Sequence, residues 1–167
     1  MAVAFCDIIC MLIISILIIH EVMDLDTSFH YLLMASQGLF QRKVMARLAE
    51  HGLTAGQPKV LDYLGLHDGS VQKAIAAGCQ IEPATLTGIL SRMEEKGLLY
   101  RQMENGDRRS LHVYLTEEGK KKQKLVRQTL EDLTQELLGD MQSDERQALL
   151  AGLMKICSKM IDTEVLQ

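Results

Sequence analysis

Apolar residues along this chain fall into blocks of different period. From Ala2 to Ile19 the run is almost unbroken, interrupted by Asp7 and Ser15. Beyond Asp26 the spacing changes. Phe29, Leu32, Leu33, Leu39, Phe40, Val44, Met45 and Leu48 recur at three- and four-residue steps, which predicts an amphipathic helix to about Glu50. His51 and Gly52 end it, with the glycine as C-cap. Thr54 to Gln57 matches a capping box, Pro58 fits the first turn that follows, and Val60, Leu61, Leu64 and Leu66 predict a short helix broken at His67 to Gly69. A further short helix is expected over Ser70 to Ala77. Ala74 and Gly78 would supply a small residue at a helix crossing and a glycine for a left-handed turn.

Pro83 is placed to open the next helix, running to Lys96. At about 100° per residue, Leu86, Ile89, Leu90 and Met93 share one face and are expected in the core. Ala84, Thr87, Gly88 and Ser91 take the opposite face, flanked by Thr85 and Arg92. Two short strand candidates follow, Leu98 to Arg101 and Leu111 to Leu115. Between them Asn105, Gly106 and Asp107 favour a tight turn. Thr116 caps a long helix whose first turn carries Glu117 and Glu118, matching the helix dipole. Its stripe is Val126, Leu130, Leu133, Leu137 and Met141. After a break at Gly139 to Glu145, Leu149, Leu153, Cys157 and Met160 continue at helical spacing.

Helix, strand, turn, strand, helix is the layout of a winged helix-turn-helix, in which one helix enters the major groove of DNA. Small and hydroxylated residues let such a helix approach base edges closely. Arg108 and Arg109 follow the turn directly, and an arginine at a hairpin tip can enter a narrow minor groove. Asp107 cannot meet a phosphate itself; its expected part is to orient an arginine.

Composition narrows this picture. The 167 residues suffice for one domain with a real core, and 47% hydrophobic residues with 4% aromatics, no Trp and two Pro favour helices. A formal net charge of −4 excludes indiscriminate nucleic-acid binding by the whole surface, so any DNA contact is a local patch. Cys6, Cys10, Cys79 and Cys157 form no C-x-x-C pair and read as reduced, cytoplasmic thiols. His20, His30, His51, His67 and His112 have neither helical-pair nor finger spacing, which disfavours a metal site. No phosphate-binding glycine loop, nucleophile elbow, zinc motif or paired-carboxylate signature is present, so neither an enzyme nor a bound cofactor is expected.

The segment from Asp107 to Gly119 resembles the wing signature of the MarR (multiple antibiotic resistance regulator) family. Ala84 to Leu98 is similar to that family's recognition helix and strand start, and the resemblance runs from about Asp26 to Asp162. It implies a mainly α fold with a small β-hairpin wing, and a homodimer built on the first, fifth and sixth helices. Each lobe would read half of a pseudo-palindromic double-stranded operator. It further implies a repressor released by a small amphipathic or phenolic ligand, or in some members by thiol oxidation or metal. Asp107 and Arg109 would take the family's wing roles, with Arg108 beside them. Ala84, Thr85, Thr87, Gly88, Ser91 and Arg92 would form the DNA-reading face. The family's effector pocket lies between dimer domain and winged lobe; here it could draw on Phe29, Leu33, Phe40, Leu61 and the methionines. Two departures stand out: Glu82 precedes Pro83 where a better cap is usual, and Gly88 lacks a side chain that could read a base.

The expected organisation is an apolar extension over 1–22, a single domain over 23–162 and a tail over 163–167. Within the domain, 24–52 and 117–162 would serve dimerisation and 54–116 the winged lobe. The apolar run has three readings: packing into a dimer interface or core, an upstream extension of a product starting near Met23, or a membrane anchor. No Lys or Arg precedes Arg42, while Glu21, Asp24 and Asp26 follow at once, and those flanks argue against an anchor or a signal peptide. The run keeps one alternative in play, a membrane-tethered or protein-binding winged-helix module.

Overall fold

A computed structural model describes residues 28–103 and 111–164, with side chains as far as 161. The apolar run of 1–22 and the turn carrying Asp107, Arg108 and Arg109 lie outside the described residues. By contact density the chain divides into two compact units, residues 1–42 and 43–167.

The elements are α1 (Phe29–Leu48), a 3₁₀ turn (Ala49–His51), α2 (Gln57–Leu66), β1 (Ser70–Val71), α3 (Gln72–Cys79), α4 (Pro83–Glu95), β2 (Leu99–Met103), β3 (Leu111–Leu115), α5 (Glu117–Leu138) and α6 (Ser143–Glu164). This is a mainly helical fold with a small antiparallel sheet ordered β1-β3-β2. In the 1–42 unit the described residues form most of α1, on which Phe29, Leu32, Met34 and Leu39 are exposed.

In the 43–167 unit the core forms around α2, α3, α4, the sheet and the first half of α5. Leu48, Val60, Leu61, Leu64, Ile75, Leu86, Leu90, Met93, Leu99, Val113, Val126 and Leu133 are all buried. Each such side chain contributes about 1.5–3 kcal/mol on burial, so the lobe is held chiefly by this contiguous set. The predicted inner face of α4 is the observed one: Leu86, Ile89, Leu90 and Met93 are its buried residues.

Local rules account for most boundaries. Gly52 closes the 3₁₀ turn with φ 74° and donates to the Ala49 carbonyl. Two carbonyls at this helix end also take lysine ammoniums from elsewhere: Lys96 reaches Gly52 O at 2.7 Å and Lys122 reaches His51 O at 3.1 Å. A cation there complements the negative end of the helix dipole. Thr116 caps α5, accepting from the Gly119 amide at 3.0 Å and donating to the Gly97 carbonyl at 2.6 Å. Gly119 is required there because a Cβ would lie 1.9 Å from the Leu98 carbonyl oxygen.

Three expectations are corrected. The capping box at Thr54 is only half made. Gln57 Oε1 accepts from the Thr54 amide at 3.0 Å, but α2 starts at Gln57, with Gly56 at φ 85° as its N-cap. Helix does not begin at Ser70: Ser70 and Val71 pair with Val113 and His112 as a third strand, because the open edge of β3 offers backbone partners that a helix start would leave unused. The left-handed residue after α3 is Gln80, at φ 51°, not a glycine. Gly78 instead gives clearance, since a Cβ there would meet the Tyr63 ring at 2.1 Å.

No helix among the described residues is long and apolar enough to cross a membrane.

Candidate nucleic-acid interface

The outward face of α4 sits between the N-terminus of α3 on one side and β2 on the other. Pro83 occupies its first turn, where a missing N–H leaves no bond unmade; Glu82 caps with no side-chain hydrogen bond, as its type suggests. Ala84, Thr85, Thr87 and Arg92 are exposed, and Gly88 and Ser91 half-buried. The structure thus brings together on one surface the six residues predicted to read DNA. Gly88 leaves room beside the Arg92 guanidinium, which a Cβ would meet at 3.4 Å.

Two side chains that the sequence pattern did not single out tie this face to its neighbours. Gln72, the first residue of α3, donates from Nε2 to Thr87 Oγ1 at 2.6 Å. Arg101, on β2, donates to Ser91 Oγ at 3.3 Å and lies 3.6 Å from the Glu94 carboxylate. The Arg101 side chain is 21% exposed, so this charge pair is partly shielded from water and fixes the strand to the helix. In the sequence, Arg101 reads as a strand residue and Gln72 as a helical surface residue. Only their side-chain reach across elements shows their part, and periodicity carries no signal for that.

The sheet continues the surface. In β2–β3, Arg101 pairs with Val113 and Met103 with Leu111 on one face; Tyr100 pairs with Tyr114 on the other, their rings stacked at 5.5 Å. The hairpin connection that follows Met103 carries Asp107, Arg108 and Arg109, outside the described residues.

Charge over this surface is nearly balanced. Between Gln72 and Met103 the cations are Lys73, Arg92, Lys96 and Arg101, and the anions Glu82, Glu94 and Glu95. Lys96 and Arg101 are engaged within the protein, which leaves Lys73 and Arg92 as the exposed cations without a protein partner among the described residues of these elements. A surface so balanced attracts phosphates weakly.

The residues proposed for an effector pocket distribute differently. Leu61 is fully buried in the core of the 43–167 unit. On α1, Phe29 and Leu33 are exposed and Phe40 is half-buried; the three share one helical face. A surface cleft of about 420 Å³ lies elsewhere, between Leu64 and Gly65 at the end of α2, Asp68 just beyond it, Leu115, and Glu117, Lys120, Lys121, Gln123 and Lys124 at the start of α5. No group of three or more His, Cys, Asp or Glu able to hold a metal occurs among the described residues. Cys79 is buried, donates weakly to the Lys59 carbonyl at 3.5 Å, and has its thiol pKa pushed up to about 11 by burial. A thiol so protected is a poor oxidant sensor. Cys157 is exposed on α6.

Comparison with known proteins gives a consistent set. A MarR family model matches residues 51–110. The HTH-type transcriptional regulator TtmR of Methylorubrum extorquens is 32% identical over 133 residues, covering 78% of this chain, which spans 66% of TtmR's length. The transcriptional regulator HosA of Escherichia coli is 30% identical over 111 residues, 66% of this chain and 79% of HosA. Among solved structures, the Staphylococcus aureus MepR–DNA complex is similar at a TM-score of 0.74 with 26% identity, covering 81% of this chain and 99% of MepR.

Proposed function

The chain belongs to the MarR family of DNA-binding transcriptional regulators, and from that premise we propose that it acts as a homodimeric repressor. Each lobe inserts α4 into the major groove of one half of a pseudo-palindromic operator, and a small amphipathic or aromatic ligand releases it. Ala84, Thr85, Thr87, Gly88, Ser91 and Arg92 face the bases and adjacent backbone, while Arg108 and Arg109, oriented by Asp107, reach the backbone or minor groove. The observation that carries this reading is the outward face of α4: small, hydroxylated, and flanked directly by the β2–β3 hairpin. The fold it shares with MepR, a protein solved on DNA, supports the same docking.

Surface chemistry supports the dimer. No described side chain of α6 is buried, although Leu149, Leu150, Leu153, Met154, Met160 and Ile161 lie along it. Contiguous apolar surface of this extent calls for a partner, and a second copy supplies an identical face by two-fold symmetry.

Selection of bound sequences from a random duplex pool tests the reading. The expected product is a two-fold symmetric site whose affinity falls steeply with salt. Arg109→Ala should weaken binding by about 1–3 kcal/mol per half-site and flatten the salt slope, with the fold intact. Enrichment of no sequence, or of sites without symmetry, would refute it.

A further inference from the structure

Two of the three hydroxyls on the outward face of α4, those of Thr87 and Ser91, are already engaged within the protein. Thr87 donates its hydrogen to the Pro83 carbonyl at 2.9 Å and accepts from Gln72 Nε2 at 2.6 Å. Ser91 donates to the Thr87 carbonyl at 3.0 Å and accepts from Arg101 at 3.3 Å. A hydroxyl has one hydrogen and two lone pairs. Each therefore keeps one lone pair and no hydrogen for a partner outside, so neither can donate to a base without breaking an internal bond.

The same count orients Gln72. Since the Thr87 hydrogen lies on the Pro83 carbonyl, the group that faces Thr87 must be a donor, which makes it the amide nitrogen and not the carbonyl. Gln72 then retains its carbonyl oxygen and a second N–H, and no bond to either is found among the described residues. It is half-buried, and its amide is anchored at the border of the reading face that adjoins α3. An amide that offers one acceptor and one donor in a plane matches the major-groove edge of adenine, where N6 donates and N7 accepts. Thr87 and Ser91, limited to accepting, cannot make that pair.

We propose that Gln72, held by Thr87, is a specificity-determining residue that selects an adenine in each operator half-site. This rests on α4 as the DNA-reading helix. Gln72 belongs to the preceding helix, so the reading surface is a composite of two elements.

The test measures affinity for every single-base variant of the selected operator, using the full chain and its Gln72→Met, Thr87→Val and doubly substituted forms. Gln72→Met keeps the side-chain length and removes both polar groups; Thr87→Val keeps the shape and removes the anchor. Thermal melting of each establishes that it is folded, and Gln72→Ala replaces Gln72→Met should the latter fail to fold. Expected is the loss of about tenfold discrimination at one A·T pair per half-site in both single variants, with no further loss in the double variant. Uniform weakening at all positions, unchanged preference, or a loss confined to a G·C pair would overturn the inference. If the unsubstituted protein selects no sequence, the assignment of α4 itself fails, which is a separate result.

Discussion

At the scale of single residues, the least forgiving positions are set by clearance. Gly119 carries no side chain because the Leu98 carbonyl oxygen occupies the place of a Cβ, at 1.9 Å. That atom is backbone at the joint of β2 and cannot swing aside. Gly119→Ala should therefore destabilise the protein by about 3 kcal/mol, the upper part of the range for forced overpacking, seen as a lowered midpoint in thermal or urea unfolding. Cys79 illustrates burial acting on chemistry. Its thiol titrates at about 11 in the fold because burial penalises the thiolate, while an unfolded chain loses that proton near 8.5. The folded state thus binds the proton more tightly. The associated stability is present below the unfolded value and declines as pH rises from about 8.5 towards 11. A thiol reagent at pH 8 should leave Cys79 unmodified in the native protein and reach it only on unfolding; rapid native labelling of Cys79 would contradict its burial.

Among the elements, the junction between wing and α5 concentrates several bonds in one place. Thr116 holds the first turn of α5 through the Gly119 amide and returns its own hydrogen to Gly97, the residue after α4 and its C-cap. One side chain thereby links the end of α4, the last strand and the long helix. Thr116→Ala should cost about 1–2 kcal/mol, the usual range for losing a helix cap, while Thr116→Ser should recover most of it. Comparable melting of the alanine and unsubstituted proteins would show that the cap is redundant. Neighbouring charge pairs weigh less. Glu136 accepts from both Lys43 and Arg47, which holds its carboxyl below the ordinary range, but all three side chains are at least 41% exposed. Such pairs are screened and contribute little to stability.

For the whole molecule, the question is what covers α6. In the proposed dimer, Leu153 lies within the apolar stripe of that helix, 40% exposed in a single chain. Leu153→Glu should place an unpaired charge in the interface and give a monomer or an unfolded chain in sedimentation, with operator affinity lost alongside. A folded Leu153→Glu dimer that binds DNA normally would remove α6 from the interface.

The sequence by itself determined the elements whose cause is local. The 3.6-residue period placed Leu86, Ile89, Leu90 and Met93 inward, Pro83 opened α4, Thr116 opened α5 and Gly52 closed the 3₁₀ turn that follows the first helix; all four are local preferences that the packing reinforces. The motif from Asp107 to Gly119 was legible because it is contiguous. Tertiary structure decided what depends on partners distant along the chain. Ser70 and Val71 are a strand only because β3 presents an open edge more than 40 residues later. Gly78 is needed for Tyr63 and not for a turn, while Gln80 takes the left-handed conformation that the pattern assigned to glycine. The pairing of Gln72 with Thr87 and of Arg101 with Ser91 and Glu94 likewise depends on side-chain reach between elements. A pattern along one chain records which side of each element faces inward. It holds no term for the distance between two outward side chains, and that distance is what shapes the outer surface of α4.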